Sequence, residues 1–356
     1  MSDQSKGVRV RARVVAAVGA VVAAPLAILA LGATAAGAVT VSNETEFRNA
    51  WGNAAETSIV LGADITLTCG GGGNALRNSA VPVVVDGGGT FSITQTCANS
   101  TNLGQAGAGQ VTFRNVTISG GNRGVVSNAA DVVLEHSTVT GIADSTVSAA
   151  YGVFSFGDIT LDDSHVSDVT AAGDDAFGVI SLGGGVSLVN GSTISEVHVT
   201  GNNGEAFGGA SGSGGAVTLD HATITAIGGG TVGAGGFVAG GPAVVTDSRI
   251  AGVAGGGAAG LLATKGLTFT RSTIDGVTGG GTAAVGISLQ TTEAATLTSS
   301  TVTDVTSVDD FAAGIFAGGP LETTDVLIHQ IASTNDLAAG ILGAGTAADV
   351  TLTRPR

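Results

Sequence analysis

The sequence predicts an all-β chain: a single-stranded parallel β-helix, or β-solenoid, of about ten coils with a short N-terminal capping helix. Three observations carry that prediction: an unusual composition, a repeat of near-constant length, and an alternation that assigns faces. The 356 residues include 60 Gly, with 12% charged, 4% aromatic and 43% hydrophobic residues. Ordinary domains carry about 25% charged residues and about 7% Gly. The apolar content is too high for a disordered chain. It consists mostly of Val, Ile, Ala and Leu in short runs, which suits strands separated by tight turns.

The repeat comes next. VTFRNVTISGG, VVLEHSTVTGI, ITLDDSHVSDV, VSLVNGSTISEV, VTLDHATITAI, LTFTRSTIDGV and ATLTSSTVTDV begin at Val111, Val132, Ile159, Val186, Val217, Leu267 and Ala295. Weaker copies begin at Val244 and Leu321. The β-branched residue after the Ser-Thr pair recurs at Ile118, Val139, Val166, Ile194, Ile224, Ile250, Ile274, Val302 and Ile328, at spacings of 21 to 30 residues. Between the units lie YGVFSFG, AFGVISLGG, AAGLLATKG, AAVGISLQ, AAGIFAGG and AAGILGAG. Each repeat thus holds two or three short strands and tight turns, one coil of a parallel solenoid. A leucine-rich repeat lacks its framework here, and a propeller blade needs about 40 residues.

Alternation assigns the faces. Ile159, Leu161, Ser164, Val166 and Val169 point inward. The inward column Ser137, Ser164, Ser192, Ala222, Ser248, Ser272 and Ser300 is small, as a sharp bend requires. Asn115, His136, Asp163, His221, Asp247, Arg271 and Asp325 stack in the turn before it. Arg114 and Glu135 fall at equivalent positions on adjacent coils and predict a cross-strand ion pair.

The two cysteines end ITLTC and ITQTC, 28 residues apart. That is one coil, so they stack about 4.8 Å apart, near the lower Cα separations a disulfide accepts. A Cys69–Cys97 disulfide clamping the first two coils is expected, contributing about 3–4 kcal/mol in the chain-entropy model. The alternative is two stacked inward thiols.

Residues 1–38 read as a secretory signal peptide. Lys6, Arg9, Arg11 and Arg13 precede the apolar run from Val14 to Ala36, and Ala36-Gly37-Ala38 has the small-x-small pattern of a cleavage site. The run is also long enough to span a bilayer, so an uncleaved N-terminal anchor is the competing reading. Residues 39–57 read as a cap: Val39 to Val41 form a strand, Asn43 to Glu46 have capping-box spacing, and Phe47, Ala50, Trp51 and Ala54 follow at helical spacing. Residues 58–356 are the β-helix. The sequence closes on Asp349 to Arg356, one strand into a coil; that end is expected to contact a partner or another copy, to be blunted by Arg354, Pro355 and Arg356, or to be a truncation of a longer chain.

VTVSNETEFRNAW followed by TSIVLGADITLTC resembles the entry to the pectin-lyase-like parallel β-helix superfamily. The resemblance is one of fold, covers the coils of the mature chain, and implies right-handed coiling. Where members are enzymes, it implies lyase or glycoside hydrolase chemistry on acidic polysaccharides; the extracellular setting rests on the leader. The hydrolase motifs Asn-Thr-Asp, His-Gly and Arg-Ile-Lys are absent. Lys265 is the only lysine beyond the leader, which leaves a lyase few candidate bases.

Candidate site residues are therefore sparse. Asp162 and Asp163 share a turn with His165 just after, and His beside Asp can move protons. Asp158, Asp162, Asp163, Asp174 and Asp175 form the oxygen-rich set a Ca²⁺ ion would take; no other cofactor is expected. The bland reading of both sets is a solvated loop edge. The formal net charge of −15 excludes a nucleic-acid binder. Outward Thr and Ser flank the inward Val or Ile at Thr117/Ser119, Thr138/Thr140, Thr193/Ser195, Thr223/Thr225 and Thr301/Thr303. Such arrays resemble ice-binding faces, although His165, Arg249, Asp275 and Leu327 interrupt this one. The hydroxyl-rich face could also hold neutral sugars weakly, without the aromatic platforms such sites favour. The reading is a secreted or cell-surface scaffold, non-catalytic, binding glycan or a cell-surface protein. The alternatives are a polysaccharide lyase or hydrolase, and a Thr-face binder such as an ice-binding protein.

Overall fold

The computed structural model describes residues 37–146, 148–343 and 350–353. All but the last two residues of the expected leader, and the basic Arg354–Arg356 end, lie outside them. Three parallel sheets run along the rod: sheet I with 13 strands, sheet II with 12 and sheet III with 11. One coil places Ile159–Asp162 in sheet I, His165–Ala171 in sheet II and Ala176–Ser181 in sheet III. The next places Val186–Val189, Thr193–Val199 and Glu205–Ser211 in the same order. Register is kept from coil to coil, as in Val166 beside Ile194 and Ile194 beside Ile224. The solenoid makes about 11 turns. That agrees with the expected count of about ten; the coils before Val111 carry no copy of the Ser-Thr unit.

The inward residues are those the alternation predicts: Ile159, Leu161, Ser164, Val166 and Val169 are all buried. The turn column is a left-handed corner. Asn115, His136, Asp163, Asn190, His221, Asp247, Arg271, Ser299 and Asp325 all have φ between 45° and 56°, a region where Asn, Asp and His are enriched. A second left-handed column lies inside the sheet II strands, at Gly141, Asp168, Glu196, Ala226, Gly252, Gly276, Asp304 and Gln330. It bends each of those strands, and no single residue type marks it.

The small inward column has a chemical function. The hydroxyls of Ser137, Ser164, Ser248, Ser272 and Ser300 accept the backbone N–H of Val116, Ser137, Ala222, Ser248 and Ser272, one coil back, at 3.0–3.2 Å. Each hydroxyl also donates to the carbonyl two residues before it. A corner N–H that cannot join a sheet ladder is thereby satisfied. Ala222 has no hydroxyl to offer. The Ser192 N–H below it bonds to Val189 O instead, across the extra turn residue that Asn190-Gly191 supplies.

Sheet III carries a column of buried glycines: Gly152, Gly178, Gly208, Gly236, Gly260, Gly286 and Gly314. A Cβ at Gly208 would lie 2.5 Å from Gly236 O and 2.6 Å from Ile224 Cγ2 in sheet II. The column therefore lets sheets II and III approach across a thin core.

The open N-terminal end is plugged as expected. Strand Val39–Val41 pairs with Ser58–Leu61, and helix α1 spans Glu44–Gly52. The Asn43 side chain accepts the Glu46 N–H, while the Glu46 carboxylate accepts the Ser42 N–H, a capping box shifted by one residue. Phe47 and Trp51 are fully buried and stack at 6.1 Å. Buried Arg77 donates to Trp51 O, Asn53 O and Glu56 O and so holds the chain leaving α1. Cys69 and Cys97 are bonded, with Cα atoms 5.0 Å apart. The bond sits at the corner after sheet II, where Cys69 is exposed.

Candidate functional site

The outer faces of sheets II and III differ in kind. On sheet II the expected hydroxyl columns are in register, with Thr138 beside Thr117 and Thr223 beside Thr193. Their polar groups are largely used within the face: Ser167 bonds Thr140 at 3.0 Å, His165 bonds Thr193 at 2.7 Å, and Arg249 pairs with Asp275 at 2.7 Å. Arg114 and Glu135 of sheet I make the expected pair at 2.7 Å.

Sheet III presents an aromatic ladder. The alternation that buries Ala150, Ala176 and Ala206 sends Tyr151, Phe177 and Phe207 outward in register. Their rings stack at 5.7 and 5.2 Å, within 18° of parallel. The guanidinium of Arg123, one coil before, lies 5.5 Å from the Tyr151 ring. Phe154 meets Tyr151 edge-on at 5.2 Å. The next position in the column is Gly235, where a Cβ would lie 2.7 Å from the Phe207 ring. Phe207 thus overhangs a residue with no side chain. These aromatic rungs lie on sheet III, not on the hydroxyl-rich face of sheet II that the sequence suggests for sugars.

Carboxylates gather at the start of the same strands. Asp175 and Phe177 share a strand face, as do Glu205 and Phe207. Asp175 Oδ1 accepts the Glu205 N–H at 2.9 Å. Burial pushes the Glu205 carboxyl from its ordinary 4.5 up to about 7, with the Asp175 charge adding to the shift. Burial also raises Asp175, against the Glu205 N–H bond that lowers it and with Asp174 adding. Burial raises the Tyr151 hydroxyl, opposed by Arg123 and reinforced by Asp174 and Asp175. Among the described residues neither the Glu205 carboxyl nor the Tyr151 hydroxyl is hydrogen-bonded, and Arg123 Nε is buried without a partner. A half-buried aromatic surface with several unused polar groups is what a ligand site offers. A groove of about 480 Å³ lies along the same corner between sheets II and III, lined by His198, Gly228, Gly229, Thr231, Gly255 and Gly280 among others.

The residues singled out from sequence are spread around one coil. Asp158 sits at the corner before sheet I and accepts the Gly185 N–H. Asp162 ends the sheet I strand and accepts from Asn190 Nδ2 at 2.7 Å. Asp163 occupies the left-handed corner, 3.7 Å from His136. His165 opens the sheet II strand. Asp174 and Asp175 lie at the corner before sheet III. The five-aspartate calcium set is therefore corrected: three corners of a coil separate its members, so they cannot surround one ion. Asp162, Asp163 and His165 do share a corner, where Asp163 and His165 are exposed and Asp162 and His165 bond to neighbouring coils. Only Asp174 and Asp175 belong to the aromatic site.

Among the described residues, Asp220, His221 and Asp247 come within ligand reach of one another. Arg271 already grips Asp247 with two bonds of 2.6 and 2.7 Å. That guanidinium holds the Asp247 carboxyl below its usual range and opposes a second cation.

The missed site left a readable trace. The residue before the column glycine is aromatic in three successive copies, YGVF, FGVI and FGGA. The trace shows only when Phe residues are aligned by their phase in the repeat.

The three-sheet coil and the helical plug define a parallel β-helix. Within it, residues 38–176 match the family described as putative pectate lyase-like adhesive domain. This span includes the cap, the disulfide, Tyr151, Asp174 and Asp175, and stops before Phe177. Two solved structures are similar. The Agl-KA catalytic domain is 14% identical with a TM-score of 0.48, over 92% of this chain and 70% of that one. A GH87 alpha-1,3-glucanase catalytic domain in complex with tetrasaccharides is 13% identical with a TM-score of 0.34, over 88% of this chain and 68% of that one. No curated protein matches.

Proposed function

We propose that the protein is a non-catalytic extracellular or cell-surface β-helix that binds glycan on the outer face of sheet III. The observation that carries this reading is the Tyr151–Phe177–Phe207 ladder, flanked by polar groups with unused bonding capacity. Pyranose rings pair an apolar face with hydroxyls at the rim, and a ladder beside Glu205, Asp175 and Arg123 complements both. The family description names an adhesive domain. The disulfide suits an oxidising compartment, and no helix among the described residues is long and apolar enough to cross a membrane. The test is calorimetric titration with neutral oligosaccharides. Wild-type binding that falls at least about tenfold in Phe177→Ala and Phe207→Ala supports the reading; base stacking on aromatic side chains, at about 1–3 kcal/mol, sets the scale. Unchanged binding in both variants removes the site.

A second reading has one observation in its favour. A carboxyl raised to about 7 can act as a general acid near neutral pH, and Asp175 beside it could serve as its ionised partner. In that reading the protein is a glycoside hydrolase. Reducing ends that appear with wild type and vanish with Glu205→Gln would replace the non-catalytic reading, which expects none.

A further inference from the structure

The chemistry of the sheet III face selects among glycans, and the selection rests on the glycan-binding reading above. We propose that this face takes a glycan bearing protonated amino groups, with an ammonium seated among Asp174, Asp175 and Glu205 and a sugar ring against Phe207.

Three observations support the choice of occupant. The first is charge. Asp174, Asp175 and Glu205 converge on one corner, and among the described residues no Lys, Arg or His forms an ion pair with any of them; the pairs that do form lie elsewhere. The nearest cation, Arg123, lies over Tyr151 at the other end of the ladder. An acidic polysaccharide would add negative charge to this corner and to a chain already at −15. A neutral glycan offers these carboxyls hydroxyl donors alone, whereas an ammonium supplies donors and the opposite charge.

The second is the ladder itself. Arg123 shows that its lower end holds a cation against an aromatic face, a contact that strengthens when water is excluded. The upper end, Phe207, overhangs Gly235 and has no protein cation over it among the described residues, while Glu205 stands two residues away on the same strand face. An aromatic ring beside a half-buried carboxyl is the combination that recognises an ammonium.

The third is room. The groove past His198 and Gly228 follows the same corner, so a chain longer than one sugar can extend from Glu205 along the rod. Glycines at its floor keep it open: a Cβ at Gly228 would meet the His198 ring at 2.5 Å.

The experiment is calorimetry on the full chain at pH 6 with three hexamers: β-1,4-linked glucosamine, its N-acetylated form and cellohexaose. Oligolysine of equal charge is the fourth ligand. The glucosamine hexamer is expected to bind about tenfold more tightly than either neutral hexamer, the scale of one charge-assisted hydrogen bond, and to weaken with added salt. Asp175→Asn should lower the ratio of amino-glycan to neutral-hexamer affinity towards one. Glu205, which holds a proton at pH 6, should release it to seat the ammonium, and Glu205→Gln should lower the same ratio and abolish the proton release that accompanies binding. Equal binding of all three hexamers, or a preference that survives both substitutions, overturns the charge assignment and leaves the glycan site standing. Binding of none by wild type overturns both. Oligolysine binding as tightly as the amino-glycan would show a peptide site and likewise overturn the proposal.

Discussion

Sheets II and III are built from the same coils, share one thin core and yet face solvent with opposite chemistry. Sheet II shows hydroxyls and charges that bond mainly to each other, as Ser167 does to Thr140 and Arg249 to Asp275. Sheet III shows stacked rings and carboxyls that carry no ion pair among the described residues, Glu205 accepting no hydrogen bond there. Regularity along a solenoid is therefore no guide to function. The more regular face is self-satisfied, and the face interrupted by Tyr151, Phe177, Phe207 and Glu205 is the one on which the proposed binding rests.

The sharpest way to break this contrast is to force the two sheets apart. Gly208→Val places a branched side chain against Gly236 O and Ile224. It should cost at least about 3 kcal/mol, read as a lowered denaturation midpoint, with loss of glycan binding. Next in size is the clamp that both sheets share at their N-terminal end. Cys69→Ser with Cys97→Ser, or reduction, should cost about 3 kcal/mol in the entropic model, measured in denaturant. Sheet III binding at the distant coils should persist once the fold is saved by cooler conditions.

Glu205 tests the electrostatic side of the contrast. Its pKa is raised in the fold, from 4.5 to about 7, so the folded state holds a proton that the unfolded chain releases. The resulting stability is complete below about pH 4.5, declines as pH rises towards 7, and is gone above it. Allowing for the solvent-exposed part of the group, the change is of order 1–2 kcal/mol. Glu205→Gln should flatten that segment of the stability profile, and an unchanged slope would show that Glu205 is ionised throughout. The smallest effect belongs to sheet II. Thr193→Ala and Thr223→Ala should shift stability by under about 0.5 kcal/mol each and leave glycan binding untouched. A loss of binding there would reverse the roles of the two faces.

The architecture was legible because its causes are local. Ile159, Leu161 and Val166 recur at strand parity, and the corner column draws on Asn, Asp and His, which tolerate left-handed backbone. The disulfide followed from one coil of spacing. The second bend was not legible because Asp168, Glu196, Ala226 and Gln330 have no shared type; stacking on neighbours, not intrinsic preference, holds them there. The site was only half legible. Asp174 and Asp175 stood out as a charged pair, but they were grouped with Asp158 and Asp162, which are near in sequence and a corner away in space. Glu205 belongs with Asp175 because a coil brings residues about 30 apart side by side.

The most direct test of the central claim locates a bound glycan on one sheet or the other. Amide hydrogen exchange on the full chain, with and without the tightest-binding hexamer, separates them. Binding at the aromatic face predicts slowed exchange in Ala150–Ser155, Ala176–Ser181 and Glu205–Ser211, with His165–Ala171 and Thr193–Val199 unaltered apart from the ends that border the shared corner. Protection centred on the sheet II strands, with the sheet III strands unchanged, would contradict it.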